Sequence, residues 1–342
     1  MEKKIVGIGS FYKDTYAHIN SRKDQRTDLR LEGYRRLDRL LEAIQELDYE
    51  YQTIDKLKNK IDYLVYFDTP EIKKIQYLEK YFKKTTKKIL IVSECEMIRP
   101  ANYSQECYDY YNKILTWDDD LIDGEKYIKS NTNYIDEKLK NYDGDRKDFT
   151  LIAANKKCWH PNELYSERRK IIDWFSKNCP DKLDLFGPGW DLYAHPMNKK
   201  PFLYFNNKIF KIINKKLGTT PLVWKGVVKN KVETLRNYNF TFALENAKNY
   251  NGYILEKIFD PMFAGSIPIY LGAKNIEKYI PPECYINYTK YQNMKVLYDY
   301  CTGLTAKEIE CYRNSIENFL NSKEVEIFHD QYFKKQIKIL LE

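Results

Sequence analysis

Short apolar runs bounded by charged stretches recur along this chain, and they constrain its fold more than any other feature. They read KIVGIGSF near the amino terminus, IDYLVYF (61–67), KILIVSE (88–94), FTLIAAN (149–155), LDLFG (183–187), FTFALEN (240–246) and SIPIYLG (266–272). Between them apolar residues fall at helical spacing, as in Leu37, Leu40, Leu41, Ile44 and Leu47. Strands alternating with amphipathic helices predict an α/β fold built on doubly wound parallel sheets. In such sheets ligands sit beyond the carboxyl ends of the strands, so the residues just after each run are the candidates for function.

With 342 residues, 43% of them hydrophobic, the chain can fill two cores of ordinary size. The polar segment SNTNYIDEKLKNYDGDRKD (130–148) lacks apolar periodicity, and a new strand begins at Phe149. This places one lobe at 1–148 and a second at 149–342. The last helix, in EVEIFHDQYFKKQIKILLE (324–342), is expected to pack back on the first lobe.

The net charge of +8 is an excess of 57 basic over 49 acidic residues spread along the chain, which suits a phosphate-bearing ligand and does not call for nucleic acid. The most basic stretch, KIFKIINKKLG (208–218), is predicted to be an amphipathic helix with its lysines in water. No run of ~18 apolar residues occurs, so the expectation is a soluble, cytoplasmic protein, with room for peripheral membrane contact through basic helices. Seven scattered cysteines form no CxxC, and the four histidines show no ligand spacing, so neither a disulfide framework nor a zinc site is expected.

The densest polar chemistry is ENAKNYNGYILEK (245–257). A strand feeding a loop and then a helix puts Tyr253, Glu256 and Lys257 near a helix amino terminus, where free N–H groups and the helix dipole favour an anion. Lys257 adds a point charge for phosphate, and Glu256 can accept from a pair of sugar hydroxyls. AGSIPIYLG (264–272) then supplies a helix cap and a short buried strand, with Pro261 inside the intervening helix.

From Tyr238 to Asn287 these elements resemble the donor-binding signature of the α1,3/4-fucosyltransferases, glycosyltransferase family 10. The matching residues are Glu245 and Asn246, then Tyr253, Glu256 and Lys257, then Ala264 and Gly265, and Pro268 to Gly272. The loop between Asn246 and Tyr253 is one residue longer than in the family pattern. The resemblance implies a GT-B type fold, two Rossmann-like doubly wound lobes facing a cleft, with the acceptor on the first lobe and GDP-fucose on the second. It also implies an arginine for the donor diphosphate at the head of the helix in YSERRKIIDWFSKN, which is Arg168, with Arg169 as the alternative. Guanidinium suits that role because its planar fork makes paired bonds to phosphate. Asn155, just after a strand, is a further donor candidate.

For the catalytic base the family has a glutamate after a first-lobe strand with a proline six residues on. Glu94 and Pro100 fit, with Glu96 as the alternative, facing the same side if the strand continues. The implied activity is inverting transfer of fucose from GDP-fucose to an oligosaccharide or polysaccharide acceptor, α1,3 or α1,4 to an N-acetylglucosamine or glucose unit. The alternatives are a GT-B enzyme with another nucleotide sugar and a non-catalytic nucleotide-sugar or glycan-binding module. No metal ligand is expected and no cofactor is required, a divalent ion being at most stimulatory. The DxD in TWDDDLID (116–123) is read as a loop and helix cap.

Overall fold

The computed structural model describes residues 3–12, 14–20, 34–131, 144–191, 212 and 220–342. It divides into two compact units, one of 1–136 with 251–253 and 326–342, the other of 137–250 with 254–325. The helix expected over 208–218 and most of the polar segment at 130–148 lie outside the described residues.

The first unit is a six-stranded parallel sheet in the order β2-β1-β3-β4-β5-β6. Its strands are β1 (Ile5–Ser10), β2 (Glu50–Thr53), β3 (Ile61–Phe67), β4 (Phe82–Ile91), β5 (Lys113–Thr116) and β6 (Tyr127–Lys129). Helices α1 (Asp14–Asn20), α2 (Arg35–Glu46) and α3 (Gln105–Tyr110) connect them. The helical spacing read in the sequence becomes the buried face of α2, where Leu37, Leu40, Leu41 and Ile44 meet Val6 and Ile8 of β1. Phe333, Ile337 and Leu341 of the terminal helix (Asp330–Leu341) complete the same core. β1 runs close to β3, and a Cβ on Gly9 would lie 2.4 Å from the Tyr66 ring.

The second unit is a five-stranded parallel sheet in the order β11-β10-β9-β7-β8. Its strands are β7 (Lys147–Ile152), β8 (Leu183–Phe186), β9 (Tyr238–Leu244), β10 (Ile267–Leu271) and β11 (Ile286–Asn287). Its described helices are α4 (Tyr165–Asn178), α5 (Lys231–Leu235), α6 (Glu256–Phe263), α7 (Met294–Gly303) and α8 (Ala306–Leu320). Phe149 of β7 stacks on Phe240 of β9 at 5.4 Å and meets Phe175 of α4 at 5.2 Å, so aromatic packing joins the sheet to its helix.

Each sheet has a point where strand order reverses, between β1 and β3 in one and between β7 and β9 in the other. These are the places where open α/β sheets bind ligands. The seven cysteines are free thiols. Among the described residues no helix is long and apolar enough to cross a membrane.

Candidate functional site

In the second unit the carboxyl end of β9 delivers Glu245 and Asn246 at the strand-order reversal. The loop that follows turns through Asn249, whose φ of 65° is tolerated by an amide side chain, and its backbone is pinned to neighbours. Lys248 donates to Asn162 O at 2.8 Å, and Asn249 to Gly272 O at 3.3 Å. Glu245 is fully buried. Its Oε1 accepts from the Leu255 N–H at 2.8 Å, which closes the loop onto the start of α6. Lys257 Nζ stands 3.7 Å from Glu245 Oε2 and 3.2 Å from Glu256 Oε1.

Burial pushes the Glu245 carboxyl up to about 7, with Lys257 opposing the shift. Glu256 goes the other way. Burial disfavours its charge, but Lys257 and Lys231 hold its carboxyl well below the usual range. Lys257 thus serves two carboxylates of opposite tendency, and Glu256 is the one that stays ionised at the amino end of α6.

The glycines of the motif now have physical reasons. A Cβ on Gly272 would meet Glu245 Cγ at 2.4 Å and the Tyr270 hydroxyl at 2.5 Å, so only glycine lets β10 end against the buried glutamate. Gly265 ends α6 with φ at 66°, the left-handed conformation in which glycine is unstrained.

Arg168 and Arg169 point to different work. Arg168 is buried, and its Nη2 donates to Leu244 O at 2.8 Å, Glu245 O at 2.8 Å and Asn246 Oδ1 at 3.2 Å. It therefore braces the turn that leaves β9. Arg169 donates to Asn155 Oδ1 and lies over the Trp190 ring. Asn155 in turn donates to Gly189 O at 2.9 Å, tying the ends of β7 and β8. Glu245, Asn246, Asn155, Arg168, Arg169, Glu256 and Lys257 thus gather around one sheet edge. Tyr253 does not join them as a surface. It belongs to the first unit, fully buried, with its ring 4.6 Å from that of Trp117. Its neighbour Gly252 passes so close to the Trp117 carbonyl that a Cβ would stand 2.3 Å from it, which explains the glycine.

In the first unit β4 ends at Ile91, three residues before Glu94, so Glu94 and Glu96 do not share a strand face as the continued-strand expectation required. Glu94 is half-buried, whereas Glu96 is exposed on a turn. Asp68, after β3, holds the Glu94 segment. Its Oδ1 accepts from Ser93 N at 2.9 Å, Glu94 N at 3.1 Å and Asn102 Nδ2 at 2.7 Å. Tyr12, after β1, donates its hydroxyl to Glu94 Oε1 at 3.1 Å. Sequence reasoning passed over Tyr12 and Asp68, although both directly follow predicted strands, the positions where function was sought.

The acids of the DxD are already engaged. Asp118 Oδ1 accepts from the Asp120 N–H at 3.1 Å, Asp119 pairs with Lys129 at 2.7 Å, and Asp120 accepts from Asn251 Nδ2 at 2.8 Å. The stretch is a loop as expected, but the cap closes a turn, since no helix follows it. Among the described residues no three His, Cys, Asp or Glu side chains stand close enough to share a metal ion.

Comparison with known proteins adds a pattern to this geometry. An alpha-(1,3)-fucosyltransferase, FucT, of Helicobacter pylori is 36% identical over 95 residues, covering 28% of this chain and 20% of the relative, so the match spans about a fifth of that enzyme. Over 98% of this chain and 90% of the neighbour, the structure aligns with a crystal structure of alpha1,3-fucosyltransferase at TM-score 0.54 and 16% identity, a protein also solved with GDP and with GDP-fucose. Anabaena Alr3699/HepE, solved in complex with UDP-glucose, aligns over 99% of both chains at TM-score 0.55 and 9% identity. These likenesses fix the fold as GT-B, two parallel-sheet α/β units. Residues 205–324 match the C-terminal domain of glycosyltransferase family 10 (fucosyltransferase), and this chain resembles the fucosyltransferases of that family.

Proposed function

We propose that the protein is an inverting fucosyltransferase that moves fucose from GDP-fucose to a hydroxyl of an N-acetylglucosamine or glucose unit in an oligosaccharide or polysaccharide, with α1,3 or α1,4 linkage. One observation carries it: the Glu245–Lys257–Gly272 arrangement is built at the strand-order reversal of the second unit, within the segment that matches the family domain. The first unit is the acceptor lobe and the second the nucleotide-sugar lobe.

In the proposed reaction Glu94 takes the proton of the acceptor hydroxyl, a role worth ~10²–10⁴-fold in rate. The new bond forms at the fucose anomeric carbon as its bond to the diphosphate oxygen breaks, and GDP leaves from the opposite face. Lys257 and the amino end of α6 meet the charge growing on the diphosphate, so a metal is not required. Arg168 is the first candidate for a second diphosphate contact and Arg169 the alternative. Glu256, kept ionised, accepts from ribose or fucose hydroxyls, and Asn155, Glu245 and Asn246 shape the donor site. We place the activity in the cytoplasm, with peripheral contact at a membrane that carries acceptor.

Calorimetric titration with GDP-fucose, GDP-mannose and UDP-galactose in the presence of EDTA tests this. Selective binding of GDP-fucose, followed by fucose transfer, supports it. Preference for another nucleotide sugar selects the second reading, a GT-B enzyme with a different donor, which the fold shared with the UDP-glucose-bound neighbour favours. Tight GDP binding without transfer to any acceptor selects the non-catalytic module.

A further inference from the structure

Two exposed aromatic side chains follow β1 directly. Phe11 is 41% and Tyr12 43% exposed, and their rings meet edge to face at 5.2 Å. Large apolar rings left in water side by side forgo burial that a ligand could restore. Phe11 is braced, because the Arg99 guanidinium lies 3.4 Å over its ring while its Nη2 donates to Thr69 O at 2.6 Å. Phe11 is further tied to β3, its N–H donating to Phe67 O at 3.0 Å. The pair is therefore a fixed platform at the strand-order reversal of the first sheet, and Tyr12 carries it to the Glu94 carboxylate at 3.1 Å.

We infer that Phe11 and Tyr12 form the acceptor-sugar subsite, Phe11 stacking on the apolar C–H face of a pyranose and Tyr12 acting as the positioning residue that orients Glu94. This rests on the fucosyltransferase reading for the role of Glu94, whereas the glycan subsite itself needs only the platform. A ring bearing both a C–H face and a hydroxyl beside a carboxylate is the ligand that matches an aromatic surface ending in an acid. Burial and the adjacent Glu94 charge push the Tyr12 phenol well up, so its hydroxyl keeps its proton and donates throughout the working range. A donor on a carboxylate favours the ionised form. Groups beside Glu94 include Tyr12 from the end of β1, Asp68 from the end of β3, and Cys95 and Tyr103 from its own loop and the turn that follows, while Arg99 acts on Tyr12. Tyr12 donates its hydroxyl directly to the carboxylate.

The test uses the full chain and two readouts. Saturation-transfer NMR with galactosyl-β1,4-N-acetylglucosamine reports glycan binding without turnover, and fucose transfer from GDP-fucose reports kcat and KM. Phe11→Leu is expected to weaken the disaccharide signal and raise acceptor KM about tenfold, with GDP-fucose affinity unchanged. Tyr12→Phe is expected to lower kcat about tenfold at unchanged KM and to move the acid limb of the pH profile up by about half to one unit. Disaccharide binding that Phe11→Leu weakens, without fucose transfer by the wild type, would sink the fucosyltransferase reading and keep the subsite. No disaccharide binding by the wild type, or unchanged binding in Phe11→Leu, overturns the subsite. A kcat loss in Tyr12→Phe without the pH shift overturns its role on Glu94. Melting curves separate either result from loss of fold, and Phe11→Tyr, which keeps the ring, is expected to restore binding.

Discussion

The carboxyl edges of the two sheets are built in contrasting ways. In the second unit the charged groups come mostly from one stretch, with Glu245, Glu256 and Lys257 within thirteen residues, and they are held by one another. In the first unit the corresponding edge is assembled from three strand ends far apart in the chain, Tyr12, Asp68 and Glu94. A site folded from a local stretch leaves a motif, whereas one gathered by a sheet leaves isolated residues. The contrast predicts that damage to the second edge is read in stability and donor binding, and damage to the first in turnover.

The largest expected effect is at the first edge. Glu94→Gln should lower kcat by ~10²–10⁴-fold with GDP-fucose affinity retained. Glu96→Gln should behave as wild type, and the reverse pattern in single-turnover assays would move the base to Glu96.

The second edge should respond in its stability against pH. Because the folded Glu245 carboxyl keeps its proton up to about 7 while an unfolded one releases it near 4.5, the fold loses stability as pH rises through that interval. Glu245→Gln cannot ionise, and its stability relative to wild type should therefore rise between pH 4.5 and 7 by up to about 3 kcal/mol. Denaturant melts at both ends of the interval check this, and a flat difference would mean that Lys257 neutralises the charge completely.

Packing changes follow. Gly272→Ala inserts a methyl against Glu245 and Tyr270 and should cost about 1–3 kcal/mol. Arg168→Ala strips the buried carbonyls of Leu244 and Glu245 of a donor, with a cost of about 1–3 kcal/mol, whereas Arg169→Ala should leave the melting temperature nearly unchanged. Loss of GDP-fucose affinity in Arg169→Ala alone would assign the diphosphate contact to Arg169. The smallest effect is expected at the DxD, where Asp120→Asn should change the rate less than about threefold because an exposed hydrogen bond is worth little. A loss of activity in EDTA beyond that would reopen a metal role for the loop.

Much of the architecture was legible in the residues. Seven apolar runs became β1, β3, β4, β7, β8, β9 and β10, since parallel strands buried on both faces must be apolar along their length. β2 and β6 escaped notice because they lie at the sheet edge, and their half-exposed sequences, EYQT and YIK, carry no such run. The charges of the donor motif were legible for a local reason, Glu245, Glu256 and Lys257 answering one another within thirteen residues, whereas its glycines answer Glu245 and Trp117 across the fold.

The sequence by itself therefore determined two α/β sheets and the identity of the charged loop after β9, because both follow from hydrophobic pattern and short-range turn chemistry. Tertiary structure alone decided that Tyr253 is buried against Trp117, that Arg168 braces backbone carbonyls, and that Asp68 and Tyr12 converge on Glu94. Those outcomes depend on which strands become neighbours, and strand order is set by how the whole sheet packs, a property no single stretch encodes.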